Sequence, residues 1–314
     1  MINATDMLKQ IKENIATVII GKNDVVDLLL ISLLCEGHVL IEDIPGVGKT
    51  SLASALARSV GCTFRRIQFT PDVLPADVTG YNMINLTTGQ PEFHPGSVMT
   101  HVLLADEINR TSPKTQSALL EAMAERQVTV DGVTYPLERP FLVMATQNPV
   151  EYIGTYPLPE AQMDRFLMRL RMGYPTMVQE LEILKRYANQ DPRPTLPAIV
   201  SAEEIIALQD KTKAVYADPV MMEYIISIVN RTRNHEDLEL GISPRGSLAL
   251  LSAAQGAAVL SGRDYIIPDD IQLVAEPVLA HRVILKPEAR LKDINAERII
   301  KSVLNTVNVP VLVG

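Results

Sequence analysis

The 314-residue chain carries a formal net charge of −8 and a sequence pI near 5.2, which argues against broad binding to a phosphate backbone. Aromatics are 4% and tryptophan is absent, so no stacking platform for single strands is visible, although Arg65-Arg66 leaves room for a local basic patch. At 47% hydrophobic content, this length suits one large domain or two modest ones with a full core.

The opening Met1-Ile2-Asn3-Ala4-Thr5-Asp6 is too polar for a signal peptide. Val18 to Gly21 reads, on its own residues, as an apolar turn. The longest apolar run, Val25 to Ile41, is broken by Asp27 and Glu36, which rules against a membrane span. A cytoplasmic location is expected. Cys35 and Cys62 cannot build a disulfide framework and have no metal-type spacing, so they read as small core residues in a reducing compartment. The five histidines are scattered without a His-x-x-x-His pair, and zinc is not expected.

His38-Val39-Leu40-Ile41 has the continuous apolar character of a buried parallel strand. It runs into Asp43-Ile44-Pro45-Gly46-Val47-Gly48-Lys49-Thr50, and the stretch from Lys49 to about Val60 reads as helix. Strand, glycine loop, Lys-Thr and helix is the order of a phosphate-binding loop, whose backbone N–H groups and helix dipole favour polyphosphate. Lys49 would reach the β- and γ-phosphates, and the Thr50 hydroxyl would ligate magnesium. The first motif position, ordinarily glycine, is Asp43. A surface turn before a helix is the plainer alternative.

A further strand is expected from Thr63 to Phe69. Val102-Leu103-Leu104-Ala105 then ends in Asp106-Glu107, 57 residues beyond Lys49. Asp106 suits the magnesium shell and Glu107 suits orienting and polarising an attacking water. An acidic pair that merely caps a strand is the other reading. Phe141 to Thr146 is a third such strand, expected between the other two, and ends in Gln147-Asn148-Pro149. The Asn148 amide is placed to sense a γ-phosphate or water, although Asn-Pro also starts turns. Leu158 to Phe166 and Phe166 to Met172 supply the fifth strand region.

Gln127 to Tyr135 alternates around Asp131-Gly132, a strong two-residue hairpin signal. Met83 to Ser97, with Thr88-Gly89, is a second hairpin candidate. Both are candidate functional surfaces, or simply cover a sheet edge. Asp191 to Pro197 is a proline-rich connector. Ser201 with Glu204 forms a capping box for a helix. Met222, Ile225, Ile226 and Val229 share one helical face, as do Ile299, Ile300, Val303, Leu304 and Val307. The predicted class is α/β, a P-loop core with a five-stranded parallel sheet over residues 1–190, a linker 191–200, and a small helical domain 201–314.

IEDIPGVGKT, FTPDVLPADVTG, ADEINRTSPKTQSALLEAM, ATQNP, LPEAQMDRF and SPRGSLAL together resemble the MoxR family of AAA+ ATPases over nearly the whole chain. Asp43 recurs in that family. The resemblance implies a ring-forming ATPase of the helix-2-insert clade, expected as a hexamer, that binds ATP, ADP and Mg²⁺ and remodels other proteins as a chaperone. It assigns Asp43 through Ser51 to the nucleotide, Val18, Ile19, Ile20 and Gly21 to the adenine, and Thr50 and Asp106 to the metal. Asn148 matches sensor 1. Arg165 matches the arginine finger that reaches a neighbouring subunit, and Arg245 matches sensor 2 on the lid of the same subunit. The segments at about 83–97 and 127–135 match the helix-2 insert and the pre-sensor-1 hairpin, which face the ring axis. Implied partners are copies of the same chain, proteins with von Willebrand factor A domains, and a protein client. A nucleic-acid motor and a non-hydrolysing nucleotide-binding scaffold are the competing readings. Acidic charge argues against the first, and intact Glu107, Asn148 and Arg165 against the second.

Overall fold

The computed structural model describes residues 4–148, 154–188 and 196–310. Helices α1 (Ala4–Ala16) and α2 (Asn23–Leu34) precede β1 (Val39–Glu42), which runs into α3 (Lys49–Ser59). β2 (Phe64–Gln68), α4 (Pro75–Thr79), the hairpin β3 (Gly80–Ile84) and β4 (Pro91–Pro95), and β5 (Val102–Asp106) follow. Next come α5 (Pro113–Glu125), the hairpin β6 (Gln127–Val130) and β7 (Val133–Pro136), and β8 (Leu142–Gln147). A short α6 (Glu160–Met163) leads to β9 (Met168–Leu170) and α7 (Met177–Tyr187).

The five main strands form one parallel sheet in the order β2-β5-β8-β1-β9. All of β1 and β5 is buried, and β8 is buried up to its last residue, because helices cover both faces. Alternate residues face opposite layers. Val39, Ile41, Leu104 and Met144 join the core with α1, α2 and α3, whereas Leu40, Leu103, Val143 and Ala145 join the one beneath α5. Each fully buried Leu or Ile contributes about 1.5–3 kcal/mol relative to exposure.

β8 separates the strand before the glycine loop from the strand ending in Asp106, as the sequence suggested, whereas β2 lies at the sheet edge. The fifth strand is shorter than expected. Leu158 to Phe166 holds α6, and only Met168–Leu170 pairs with β1. The 127–135 hairpin forms as read, with Asp131 and Gly132 at φ 50° and 80°, the left-handed pair that a tight turn needs. The other hairpin begins at Gly80, earlier than Met83. The two hairpins touch: Phe93 stacks on Tyr135 at 3.9 Å between centroids, and Asn82 Nδ2 donates to Asp131 Oδ2 at 2.9 Å.

From residue 201 the chain is mainly helical: α8 (Ala202–Lys213), α9 (Pro219–Arg233), α10 (Pro244–Leu260), α11 (Pro268–Leu279), α12 (Pro287–Leu291) and α13 (Ala296–Thr306), with a two-stranded ribbon of β10 (Leu238–Leu240) and β11 (Ile284–Leu285). The Ser201–Glu204 capping box is formed. On α9 the buried face is Met221, Tyr224, Ile225, Ile228 and Val229. Met222 and Ile226, expected on that face, are exposed. On α13, Ile299, Ile300 and Val303 are buried, with Leu304 and Val307 packed against them. These helices share one continuous core with α1 to α3. Residues 191–195 of the proline-rich connector lie outside the described residues. Among the described residues, no helix is long and apolar enough to cross a membrane.

Candidate functional site

The glycine loop turns at Gly46 and Gly48, with φ of 85° and 94°, a region that side chains disfavour. A Cβ on either would meet nothing within 4 Å, so backbone conformation rather than space demands glycine there. Lys49 opens α3, and its Nζ donates to Asp43 O at 2.9 Å and Ile44 O at 3.1 Å. The loop's departure from the usual pattern has a structural role. The Asp43 carboxylate accepts from the backbone N–H groups of Met172 and Gly173, both at 2.6 Å, and of Ile44 at 2.9 Å.

Three strand ends converge on this loop. A cavity of about 340 Å³ is lined by Pro45, Gly46, Gly48, Lys49, Thr50 and Ser51 on one side, and by Arg66, Gln68, Asp106, Glu107 and Asn148 on the other. Asp106 Oδ1 accepts from Thr146 Oγ1 at 2.6 Å. Its Oδ2 accepts from Arg66 Nη2 at 2.7 Å and Nε at 3.2 Å. Glu107 has a left-handed φ of 57°, and its N–H donates to Thr146 Oγ1 at 2.9 Å. Its Oε2 accepts from Gln68 Nε2 at 2.7 Å and Arg110 Nε at 3.1 Å. Thr146 therefore fixes both acidic residues from the neighbouring strand.

A second cavity, of about 280 Å³, shares Gly46, Gly48 and Ser51 with the first and is walled by Val18, Ile19 and Ile20. Its far wall is Met172, Pro175, Ile183 and Tyr187, which the sequence reading did not single out. Ile183 and Tyr187 are one helical turn apart on α7, a spacing that offered the available clue. Gly21 does not line this cavity itself and borders an adjoining groove with Arg169, which shares Lys22 and Met172 with it. The two joined cavities match the needs of a nucleotide, apolar at one end and rich in N–H donors at the other. The oxygen set of Thr50 and Asp106 suits a hard divalent cation such as Mg²⁺, which would neutralise phosphate charge there.

Arg165 and Arg245 are not in this group. They line a third cavity, of about 320 Å³, with Gly37, His38 and Met123. His38 immediately precedes β1, so this cavity lies at the amino end of the sheet and the glycine loop at its carboxyl end. Four residues of strand separate them, about 13 Å of rise. Arg165 Nη1 donates to Leu120 O at 2.7 Å, and Arg245 Nε stands 3.9 Å from Asp164 Oδ2. The expected position of Arg245 beside its own subunit's loop is therefore not what this structure has. The packing of α10 on α11 and α2 sets it in the same cavity as Arg165 instead.

A five-stranded parallel sheet with a glycine loop, an acidic pair and a polar strand tip around one cavity, followed by a helical lid, defines an AAA+ ATPase. Residues 38–168 match the family described as "ATPase family associated with various cellular activities (AAA)", and residues 230–303 match the "AAA lid domain". The chain is 55% identical to the uncharacterized protein YeaC of Bacillus subtilis, over 97% of this chain and 95% of that protein. It is 43% identical to chaperone MoxR1 of Mycobacterium tuberculosis, over 93% of this chain and 80% of that one. A crystal structure of a candidate ATPase from Cytophaga hutchinsonii superposes with a TM-score of 0.92 at 38% identity, covering 98% of this chain and 96% of that one. The chain belongs to the MoxR family of AAA+ ATPases.

Proposed function

We propose that this chain binds ATP with Mg²⁺ across the two joined cavities and hydrolyses it in a homo-oligomeric ring, a hexamer, to remodel protein clients in a chaperone-like manner. Lys49 and the loop N–H groups hold the β- and γ-phosphates, and Thr50 and Asp106 hold the metal. Val18, Ile19 and Ile20 pack on the base together with Ile183 and Tyr187. Glu107 orients and polarises the attacking water, and Asn148 reports on the γ-phosphate. ADP is the product retained. Residues 1–190 act as the core, 191–200 as the connector, and 201–314 as the lid.

One observation carries the reading: Glu107 and Asn148 meet the glycine loop at one end of the sheet, while Arg165 and Arg245 gather at the other. Two planar cations remote from their own chain's glycine loop are suited to a neighbour's nucleotide, where they stabilise charge that grows during transfer. On this reading Arg245, like Arg165, serves the adjacent subunit. The same chain placed round a ring would complete every site.

Client maturation or the insertion of a cofactor or metal, beside a partner with a von Willebrand factor A domain, is the work expected of such a ring. The relative named chaperone MoxR1 supports this direction. A nucleic-acid motor gains no support from Arg65 and Arg66, which are engaged by Gly96 O and Asp106.

The test mixes two inactive variants. Glu107→Gln should bind ATP and stall, and Arg165→Ala should lose turnover by roughly 10³- to 10⁵-fold. Combined in one ring, Arg165→Ala sites that face an intact Arg165 should turn over again. Absence of recovery in rings shown to contain both variants rules out a finger supplied by the neighbour.

A further inference from the structure

Behind the two arginines lies a buried guanidinium that the nucleotide cavities do not touch. Arg282 ends the short helical turn Ala280–Arg282 after α11, and its side chain is 3% exposed. Its Nε donates to Asp164 Oδ1 at 2.7 Å, and its Nη2 donates to Phe166 O at 2.7 Å. Its Nη1 donates to Leu167 O at 3.1 Å and also reaches Val278 O. Arg282 therefore grips the chain on both sides of Arg165. Asp164 turns its other oxygen, Oδ2, toward Arg245. One carboxylate thus links the buried Arg282 to Arg245 and lies next to Arg165 in the chain.

Removing a guanidinium from water is costly unless its donors are satisfied and its charge is paired. Here burial pushes the Arg282 pKa down while Asp164 opposes the shift, and the planar fork reaches one carboxylate and several carbonyls at once. A lysine ammonium could not span that set. Arg165 itself is held at its tip by Leu120 O on α5, on the core side, while Arg282 fixes its flanking backbone from the α11 side. A shift of α11 against α5 must therefore change where the Arg165 guanidinium points.

We propose that Arg282 is a positioning residue for Arg165 and Arg245: it locks the Asp164–Leu167 segment to α11 so that both arginines are presented together, and it transmits α11 movement to them. The proposal rests on the reading that these arginines act on a neighbour's nucleotide. Arg282 lines neither of its own subunit's two nucleotide cavities and sits at the back of the one that holds Arg165 and Arg245, so its effect is on turnover and not on ATP binding by its own subunit. Its influence also falls on the adjacent subunit's site rather than on its own.

R282M removes the fork and keeps an unbranched apolar stem. Binding of a fluorescent ATP analogue should stay within about twofold of the parental protein, because the loop and the apolar pocket are untouched. Turnover of rings made only of R282M should fall on the order of 10²-fold, the cost of misplacing a reacting group by about 1 Å. In rings mixed with Glu107→Gln, R282M sites that face the partner's intact arginines should regain turnover. A generally unstable fold would not recover on mixing.

The same mixture with Arg165→Ala separates the two ideas. No recovery with Arg165→Ala defeats the neighbour-finger reading itself. Recovery with Arg165→Ala but none with R282M defeats the positioning role, as does parental turnover in R282M rings. If R282M does not fold, R282K, which keeps the charge but not the fork, takes its place. Parental turnover in R282K rings overturns the proposal, and a deficit that mixing rescues supports it.

Discussion

Gln68 Nε2 donates to Glu107 Oε2 at 2.7 Å, joining the tip of the edge strand β2 to the carboxylate proposed to activate water. Arg110 contacts the same oxygen at 3.1 Å. A carboxylate so engaged is a weaker hydrogen-bond acceptor for water, because the lone pairs of one of its two oxygens are already committed. Gln68→Leu should therefore raise client-free ATP turnover severalfold, measured as phosphate release at saturating ATP. A fall instead would mean that Gln68 aligns Glu107 for catalysis. Glu107→Gln is the reference, with a loss of roughly 10²- to 10⁴-fold expected for removing a general base.

Much of this site was legible because its strands are central. β1, β5 and β8 are buried on both faces, so they read as unbroken apolar runs, and each functional residue follows the run directly. β9 is a three-residue edge strand with Arg169 at its middle, and so left a weak trace. The α9 sequence is apolar on two adjacent stripes, so periodicity does not choose between Ile226 and Ile228. Arg66 looked like a surface cation because only the parallel pairing of β2 with β5 brings it to Asp106, 40 residues away. The location of Arg245 depends on how α10 packs, which no local pattern encodes.

Asp43 supplies a test of the loop's anchoring. Its carboxylate accepts three backbone N–H groups, two from the segment following β9. Hydrogen bonds to a charged group contribute about 1.5–3 kcal/mol each. Asp43→Ala should free Met172, on the apolar cavity wall, and the loop together. Both the thermal midpoint and ATP affinity should drop, with Asp43→Asn intermediate in each. A lower midpoint with unaltered ATP affinity would make Asp43 a purely structural tie.

Arg66 occupies the carboxylate proposed for the metal. Its Nη2 is 2.7 Å from Asp106 Oδ2, so a divalent cation must compete with a guanidinium for the same charge. Arg66→Ala should lower the Mg²⁺ concentration needed for half-maximal ATP binding, followed by calorimetry across a magnesium titration. A higher requirement would instead indicate that Arg66 assists the phosphates. Lys49→Ala, by contrast, should weaken ATP binding at every magnesium level, by about 10- to 150-fold for one charge-assisted bond.

His38 makes the fold sensitive to mild acid. Burial of its ring lowers the pKa from 6.5 to about 4, outweighing the hydrogen bond to Met123 O. Val143 N donates to Nδ1, so Nε2 carries the proton that meets Met123 O at 3.1 Å. The folded protein thus holds His38 neutral while the unfolded chain protonates it near pH 6.5. Its stabilising contribution is complete above that pH and declines as pH falls from about 6.5 toward 4, by up to about 3 kcal/mol. His281, also buried with a pKa driven well below 6.5 by desolvation, adds to the same trend. Urea midpoints should therefore fall between pH 7 and pH 5, and His38→Gln should show a shallower fall over that interval from a lower starting point. An equal pH slope in the variant would assign the effect to His281 and the carboxylates instead.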